Sequence, residues 1–185
     1  MHGVVSLLDD EHYRVVEDVW AELSRKFGVH GIYSTPFPHF TYQVSEEYDT
    51  EAVEAALRGV AERSAPFRAR TAGLGVFCAA RPVLHVPVVR SPELESFHAE
   101  VWSAVGRPPA GEVARFYDAR MWVPHVTLAQ GDIDADRLGE IVRVLAARNF
   151  HWEMEVNNLS LIYDTGTEQG LRCRFNFGNG RATSA

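Results

Sequence analysis

The 185 residues are 46% hydrophobic and 23% charged, with a net charge of −7, a composition that buries a core without disulfides or metal. The net negative charge argues against binding to long DNA or RNA, because basic residues supply most of that affinity. It does not argue against binding to a nucleotide or to one RNA end. No run approaches the roughly 20 apolar residues of a membrane helix, and residues 1–14 lack the basic start and long apolar run of a secretory signal, so we expect a cytoplasmic protein.

The first half of the sequence alternates strands with helices. Apolar residues recur at three- and four-residue steps between Val15 and Phe27, which indicates an amphipathic helix. Glycines interrupt the last segment of this half, which indicates a bulge or a close backbone approach. In chain order, the predicted elements are a strand at 3–8, a helix at 9–28, a strand at 39–45, a helix at 49–64 capped by Asp49 or Thr50, and a broken strand at 66–78.

The second half repeats this order of elements. Ser91 and Pro92 suit the N-cap and the first turn of a helix. In chain order, the predicted elements are a strand at 82–89, a helix at 91–105, a loop at 106–121, a strand at 122–130, a helix at 134–149 capped near Asp132 or Asp134, closing strands at 151–164 and 171–178, and a disordered tail at 179–185.

The two halves are expected to pack as one body. No linker separates residues 1–80 from residues 81–178, so each half depends on the other for a core. Cys78 and Cys173 stand far apart without a Cys-x-x-Cys pattern, which predicts two free, buried thiols.

A short motif, Pro-His-apolar-Thr, occurs at 38–41 and again at 124–127. Given the chain's own counts of Pro, His and Thr, a Pro-His-x-Thr string with any third residue is expected by chance only about 0.02 times. Side chains two residues apart share one face of a strand, so each histidine points the same way as its threonine. The residues at the alternate positions then point into the core; they are Phe40, Tyr42, Val126 and Leu128. The repetition predicts one shared site.

Two facing histidine–threonine pairs suit displacement at phosphorus, where the attacking and leaving oxygens lie roughly in line on opposite sides. One neutral imidazole can accept the proton of the nucleophile, and the other, protonated, can donate one to the departing oxygen. The threonine hydroxyls can donate to the non-bridging phosphate oxygens. This scheme requires no metal.

The main alternative to a phosphate site is a zinc site, because histidine is a common zinc ligand. A structural zinc site needs four donors and a catalytic one usually three, yet no carboxylate or cysteine recurs with the motif. The remaining histidines are interpreted as locally satisfied polar residues, with slightly more weight on His85 because it opens the second half. They are His2, His12, His30, His85, His98 and His151.

With its two His-x-Thr motifs, the sequence resembles the 2H phosphoesterase superfamily, and within it the 2′-5′ RNA ligase-like or RNA 2′,3′-cyclic phosphodiesterase proteins. The resemblance covers residues 1–178, including the stretch "GVFCAARPVLHVPV" between the motifs. It implies an α+β fold of two pseudo-duplicated lobes, each an antiparallel sheet with helices outside and an active-site cleft between them. We therefore expect residues 1–178 to form one such domain with intertwined lobes.

The resemblance also implies an activity, the metal-independent opening of 2′,3′-cyclic phosphates, with no cofactor. His39 and His125 would be the acid–base pair, and Thr41 and Thr127 would hold the phosphate. In related enzymes the second-motif histidine is the base toward water, whereas the residues themselves leave that order open. A non-catalytic nucleotide or RNA-end binding module and 2′-5′ RNA ligation remain the alternatives.

The sequence departs from RNA-acting members of this family at one position. Many of them carry Arg or Lys three residues after the second threonine, where this chain has Gln130. Together with the acidic net charge, the departure favours a mononucleotide, a nucleotide derivative or another small cyclic phosphate over RNA itself. As partners we expect a nucleotide or RNA-end cyclic phosphate or another small phosphodiester, with no DNA and no membrane, and we expect the chain to be a monomer. Candidate replacements for the missing charge are Arg81, Arg115 and Arg120, and candidate stacking residues for a base are Phe37, Trp122, Tyr117 and Phe77.

Overall fold

The computed structural model describes residues 1–106 and 114–178. Its helices are α1 (Asp10–Phe27), α2 (Thr50–Arg63), α3 (Pro92–Val105) and α4 (Ala135–Leu145), with 3₁₀ helices at Gly31–Ser34 and Ala114–Tyr117. Its strands are β1 (His2–Leu7), β2 (His39–Ser45), β3 (Phe67–Arg70), β4 (Gly75–Phe77), β5 (Val83–Pro87), β6 (His125–Ala129), β7 (Glu153–Val156), β8 (Asn158–Asp164) and β9 (Gln169–Asn176). The predicted tail at 179–185 and part of the predicted loop, 107–113, lie outside the described residues.

Two antiparallel sheets form the body of the fold. The first has the order β2-β1-β8-β9. In the second, β4-β5-β6 and the pair β3-β7 are joined where β3 runs on beside the end of β5. A bridge between Thr71 and Val88 marks that join, and the Val89 N–H donates to the Arg70 oxygen at 2.7 Å. Both strands with the His-x-Thr motif, β2 and β6, therefore lie at sheet edges.

The sheets do not follow the halves of the sequence. Strands β3 and β4 come from the first half but pair with β7 and β5 of the second sheet. Strands β8 and β9 come from the second half, yet β8 pairs with β1 in the first sheet. Each sheet therefore contains strands from both halves of the chain.

The predicted strand at 151–164 is two strands, because its two ends pair with different sheets. Strand β7 pairs with β3, whereas β8 pairs with β1 and β9. Just after the break, the buried Asn158 accepts from the Leu7 N–H at 3.0 Å and donates to the Leu7 oxygen at 2.8 Å. A buried amide needs such partners, so this side chain fixes the start of β8 against the end of β1.

The helices begin where capping residues predict. Asp49, not Thr50, caps α2, and Asp134, not Asp132, caps α4, each by accepting a main-chain N–H with its carboxylate. Ser91 caps α3, with Pro92 in the first turn as predicted. Helix α1 ends at Gly28, whose φ of 66° is readily adopted only by glycine.

One cluster of buried apolar side chains runs between the sheets and the helices. The prediction that Phe40, Tyr42, Val126 and Leu128 face the core is confirmed, since each is 1% exposed or less. The prediction of two buried thiols is right for Cys173 and wrong for Cys78, which follows the short strand β4 in an exposed stretch. Within the described ranges, no helix has both the length and the apolar character to cross a membrane.

Candidate active site

A cavity of about 280 Å³ is lined by both histidine–threonine pairs. His39 and Thr41 reach it from β2, and His125 and Thr127 reach it from β6. The two pairs lie 86 residues apart in the sequence but belong to facing edges of the two sheets. The hydroxyls of Thr41 and Thr127 make no hydrogen bond to any other described residue, so both are available to a ligand in the cavity.

Both imidazoles are held in the same way by the main chain two residues earlier. The Nδ1–H of His39 donates to the oxygen of Phe37, and that of His125 donates to the oxygen of Val123 at 2.7 Å. A carbonyl oxygen can only accept, so Nδ1 carries the hydrogen in each ring. In the neutral form, Nε2 is then left as a free proton acceptor on each histidine.

The surroundings of the two imidazoles favour the neutral form of both rings. Burial, aided by positive charge on His125, lowers the pKa of His39 to about 4, while its bond to the Phe37 oxygen opposes the shift. Burial also lowers the pKa of His125, again against the bond to a main-chain oxygen. A proton on one ring thus disfavours a proton on the other, and an anion placed between them would raise both pKa values.

Tryptophan side chains hold the two motif strands from across the fold. The indole N–H of Trp122, just before β6, donates to the Thr41 oxygen on β2 at 2.8 Å. The indole N–H of Trp20, on α1, donates to the Thr127 oxygen on β6 at 3.1 Å. An edge strand leaves main-chain oxygens without sheet partners, and these bonds satisfy them.

Comparison with known proteins identifies the family. The profile described as the 2′-5′ RNA ligase superfamily matches residues 9–168 of this chain. The chain belongs to this superfamily. The resemblance to the 2H phosphoesterases, drawn from the two His-x-Thr motifs, is thereby confirmed.

Curated relatives and a solved structure agree with this assignment. A "putative phosphoesterase" of Bacillus cereus strain B4264 is 25% identical over 155 residues, which are 81% of this chain and 83% of the relative. A protein of the same description from Bacillus thuringiensis strain Al Hakam is 24% identical over the same length and shares of the two chains. The crystal structure of TT0787 of Thermus thermophilus is 19% identical with a TM-score of 0.66, covering 96% of this chain and 97% of that one. The predicted α+β, two-lobed fold is confirmed.

Two of the candidate stacking residues of this protein line the cavity, namely Phe37 and Tyr117. Phe37 packs on a small apolar cluster formed on the first sheet by Val5, Leu7 and Ile162. Its aromatic ring therefore contributes an apolar wall close to His39, the residue two positions later.

Trp122 and the arginines have other positions. Trp122 is 2% exposed and stacks on the buried His98, with ring centroids 4.0 Å apart, so it supports the cavity from the core. Arg81, Arg115 and Arg120 are exposed, and among the described residues none of them lines the cavity. Arg81 and Arg120 lie in a bend and a turn, and the Arg115 guanidinium lies over the ring of Phe116, 5.0 Å from its centroid.

Gln130 lines the cavity at the position where the sequence departs from RNA-acting relatives. Its main-chain oxygen approaches Gly31 so closely that a Cβ there would lie 2.0 Å away, so only glycine fits. Asp132 accepts from the N–H groups of His30 and Gly31 at 2.6 and 2.9 Å. These contacts tie the 3₁₀ helix at the cavity rim to the end of β6.

A bulge in β2 changes which residues face the cavity. The register with β1 shifts between Val4 and Val5, so alternation fails after Thr41. Gln43 turns inward, where its amide donates to the Gly106 oxygen at 3.0 Å. Val44 lines the cavity in its place. Strict alternation along the sequence would have assigned these two residues the other way round.

Further lining residues carry no signal in the sequence. They come from α1, from the 3₁₀ helix and the loop after it, and from the end of β8, and include Trp20, Ser34, Thr35, Ile162, Tyr163 and Asp164. No group of three or more side chains able to hold a metal ion occurs within residues 1–106 and 114–178.

Proposed function

We propose that the protein is a phosphodiesterase that opens 2′,3′-cyclic phosphates of nucleotides or RNA ends by acid–base catalysis from His39 and His125. The observation that carries the proposal is the single cavity lined by both histidines and both threonines. Membership of the superfamily and the description of the Bacillus relatives as phosphoesterases support the same class of chemistry.

In the proposed reaction, water attacks phosphorus opposite the ribose oxygen that leaves. The Nε2 of one neutral histidine accepts a proton from the water as the new P–O bond forms. The other histidine, protonated, donates its Nε2 proton to the ribose oxygen as the old P–O bond breaks. The product is a phosphomonoester beside a free hydroxyl, and exchange with solvent restores the starting protonation.

The main chain and the threonines assist this transfer. Each Nδ1–H bond to a carbonyl fixes the ring orientation and stabilises the imidazolium when it forms, the role that an acceptor has behind a catalytic histidine. The hydroxyls of Thr41 and Thr127 donate to the non-bridging oxygens, where negative charge grows. A bound phosphodiester, being anionic, raises the pKa of both rings, so that one ring takes up from solvent the proton that the reaction needs.

The cavity favours a small substrate. Its volume of about 280 Å³ is near the lower end of the range of roughly 300–1,000 Å³ found for small-molecule sites. At the position where many RNA-acting members carry Arg or Lys, the cavity is lined by the neutral amide of Gln130, which attracts further phosphates less strongly than a cation. A mononucleotide or the terminal nucleotide of an RNA therefore fits better than a long polyanion.

Turnover tests the proposal. Purified protein treated with EDTA is assayed against 2′,3′-cyclic mononucleotides, oligoribonucleotides with a cyclic phosphate end and 2′-5′-linked dimers. We expect hydrolysis of the cyclic phosphates without added metal. Binding of these compounds without product would favour the non-catalytic binding module, and formation of a 2′-5′ bond would favour ligation.

A further inference from the structure

His85 is a buried histidine next to the proposed catalytic pair, and the mechanism above does not use it. It is 3% exposed and lies on β5 directly opposite Thr127 of β6. Directly paired residues of antiparallel strands share a face, so His85 lies on the same face of the second sheet as the His–Thr pair. Its ring centroid is 5.1 Å from that of His125, with the rings at 63°.

Phe77 completes a group of three rings in mutual contact. It stacks on His85 with centroids 4.1 Å apart and an angle of 22°. It also forms an edge-to-face contact with His125, with centroids 4.8 Å apart and an angle of 84°. Offset stacks and edge-to-face pairs at these distances are the attractive arrangements of aromatic rings. Among the described residues, His39 has no ring partner of this kind.

Gly75 makes room for this arrangement. It pairs with His85 across β4 and β5, and a Cβ at this position would lie 2.5 Å from the His85 Nε2. Contacts of that length do not occur, so any side chain here would displace the His85 ring. The ring thus occupies the space above a glycine, held between Gly75, Phe77 and His125.

His85 is suited to support rather than to proton transfer. It is not among the residues that line the cavity, and its Nδ1 lies 3.4 Å from the Val83 oxygen, at the long limit of a hydrogen bond. Burial, together with positive charge on His125, lowers the pKa of His85 to about 4. At neutral pH it is an uncharged ring, so it adds no repulsion against a protonated His125.

We propose that His85 is a positioning residue, which together with Phe77 holds the His125 ring so that its Nε2 faces the phosphate. The inference rests on the proposed function, because it gives the ring orientation a catalytic purpose. Displacement of a reacting group by about 1 Å can reduce a rate by a factor of about 10², so a contact of this kind matters even though it touches no substrate.

Three substitutions test the inference in the full-length protein with a 2′,3′-cyclic mononucleotide as substrate. His85→Ala removes the ring, and Gly75→Ala displaces it without changing any ring. We expect each to lower kcat by about 10- to 100-fold with little change in KM. His85→Phe restores an aromatic contact and should recover most of kcat. Val86→Ala, on the opposite face of the same strand, is the matched control and should lower thermal stability but not kcat.

Nitrogen-15 NMR of the histidine rings gives a readout that needs no turnover. In the wild type, we expect the Nδ1–H tautomer of His125 and a pKa below its ordinary value of 6.5. In His85→Ala, water reaches the ring, so the tautomers should mix and the pKa should rise toward that ordinary value. A folded His85→Ala protein with unchanged kcat, tautomer and pKa of His125 would overturn the inference.

The two proposals fail in different ways. If the wild type turns over no phosphodiester, the proposed function fails, while the NMR comparison still decides whether His85 orients His125. If the wild type is active and His85→Ala matches it in rate and in the NMR spectrum, only the positioning role fails.

Discussion

The indole N–H of Trp122 donates to the main-chain oxygen of Thr41 at 2.8 Å. This bond joins the residues just before β6, which carries the second motif, to β2, which carries the first. Trp122 precedes His125 by three residues, so one short segment both presents the second imidazole and holds the strand of the first. The geometry of the two His–Thr pairs is therefore coupled through a single buried side chain. This coupling makes the distance between the pairs open to a direct test.

Trp122→Phe should loosen that coupling while keeping an aromatic ring in the core. The Thr41 oxygen then loses its donor, at a cost of about 1–3 kcal/mol in the free energy of unfolding, and kcat falls because Thr41 moves. Urea unfolding and steady-state rates measure the two effects. Trp102→Phe is the matched control, since its indole N–H donates at 2.8 Å to the next oxygen, that of Tyr42, whose side chain faces the core. Equal losses of kcat in both variants would contradict the special role of Trp122.

His39→Ala and His125→Ala should each lower kcat by about 10²–10⁴-fold, the contribution of one positioned acid or base. The double variant should lose little more than the worse single one, because the two groups act in one step. Rates with a 2′,3′-cyclic mononucleotide measure this, and circular dichroism checks folding. His151→Ala, an exposed histidine outside the cavity lining, serves as the control and should retain the wild-type rate.

Thr41→Val and Thr127→Val remove a hydroxyl at nearly constant volume. If the hydroxyls stabilise charge that grows on the phosphate, each change should lower kcat by about 10²–10³-fold, with a smaller effect on KM. Thr41→Ser and Thr127→Ser keep the donor and should recover most of the rate. A loss confined to KM, with kcat intact, would instead indicate that the threonines only bind the ground state.

The motif and the helices were predictable because their signals are local. Alternation along a strand places His39 and Thr41 on one face, and side chains such as Asp134 identify helix starts within a few residues. Periodicity likewise identified the core side of α1, where Val16, Val19, Trp20 and Leu23 are buried. These features depend on neighbours that are close in sequence, which is the information a single chain displays.

Features that depend on distant pairing were not predictable. Three such features join residues that are far apart in the sequence. They are the pairing of β8, from the second half of the chain, with β1 in the first sheet, the bulge against β1 that turns Gln43 inward, and the hydrogen bond from the Trp20 indole to the Thr127 oxygen. The candidate arginines Arg81, Arg115 and Arg120 are not among the cavity-lining residues, and charge alone does not locate a side chain. Glycine at 75 was a partial signal, because an interrupted strand predicted a close approach without identifying His85 as its cause.

The pH dependence of kcat/KM should be a bell whose limbs report the histidine pair in the free enzyme. Burial lowers the pKa of both His39 and His125 from the ordinary value of 6.5, so the optimum should lie on the acid side of that value. The profile of kcat should lie at higher pH, because a bound anion raises both pKa values. Rates across roughly pH 4 to 9 with a cyclic mononucleotide measure both profiles. An optimum of kcat/KM well above neutral pH would contradict an acid–base pair formed by these half-buried histidines.

Acid should destabilise the fold through His85. Its pKa is lowered to about 4 in the folded state, against an ordinary value of 6.5 in the unfolded chain. The unfolded chain therefore binds more protons between these values, so the contribution of His85 to stability is present above pH 6.5 and is lost as pH falls toward 4. At about 1.4 kcal/mol per pH unit, the loss by about pH 4.5 is on the order of 2–3 kcal/mol. Urea unfolding of the wild type and His85→Phe at neutral pH and at about pH 4.5 measures it, and the variant should lose less stability by that amount. Equal losses in the two proteins would show that His85 is protonated in the fold as readily as in the unfolded chain.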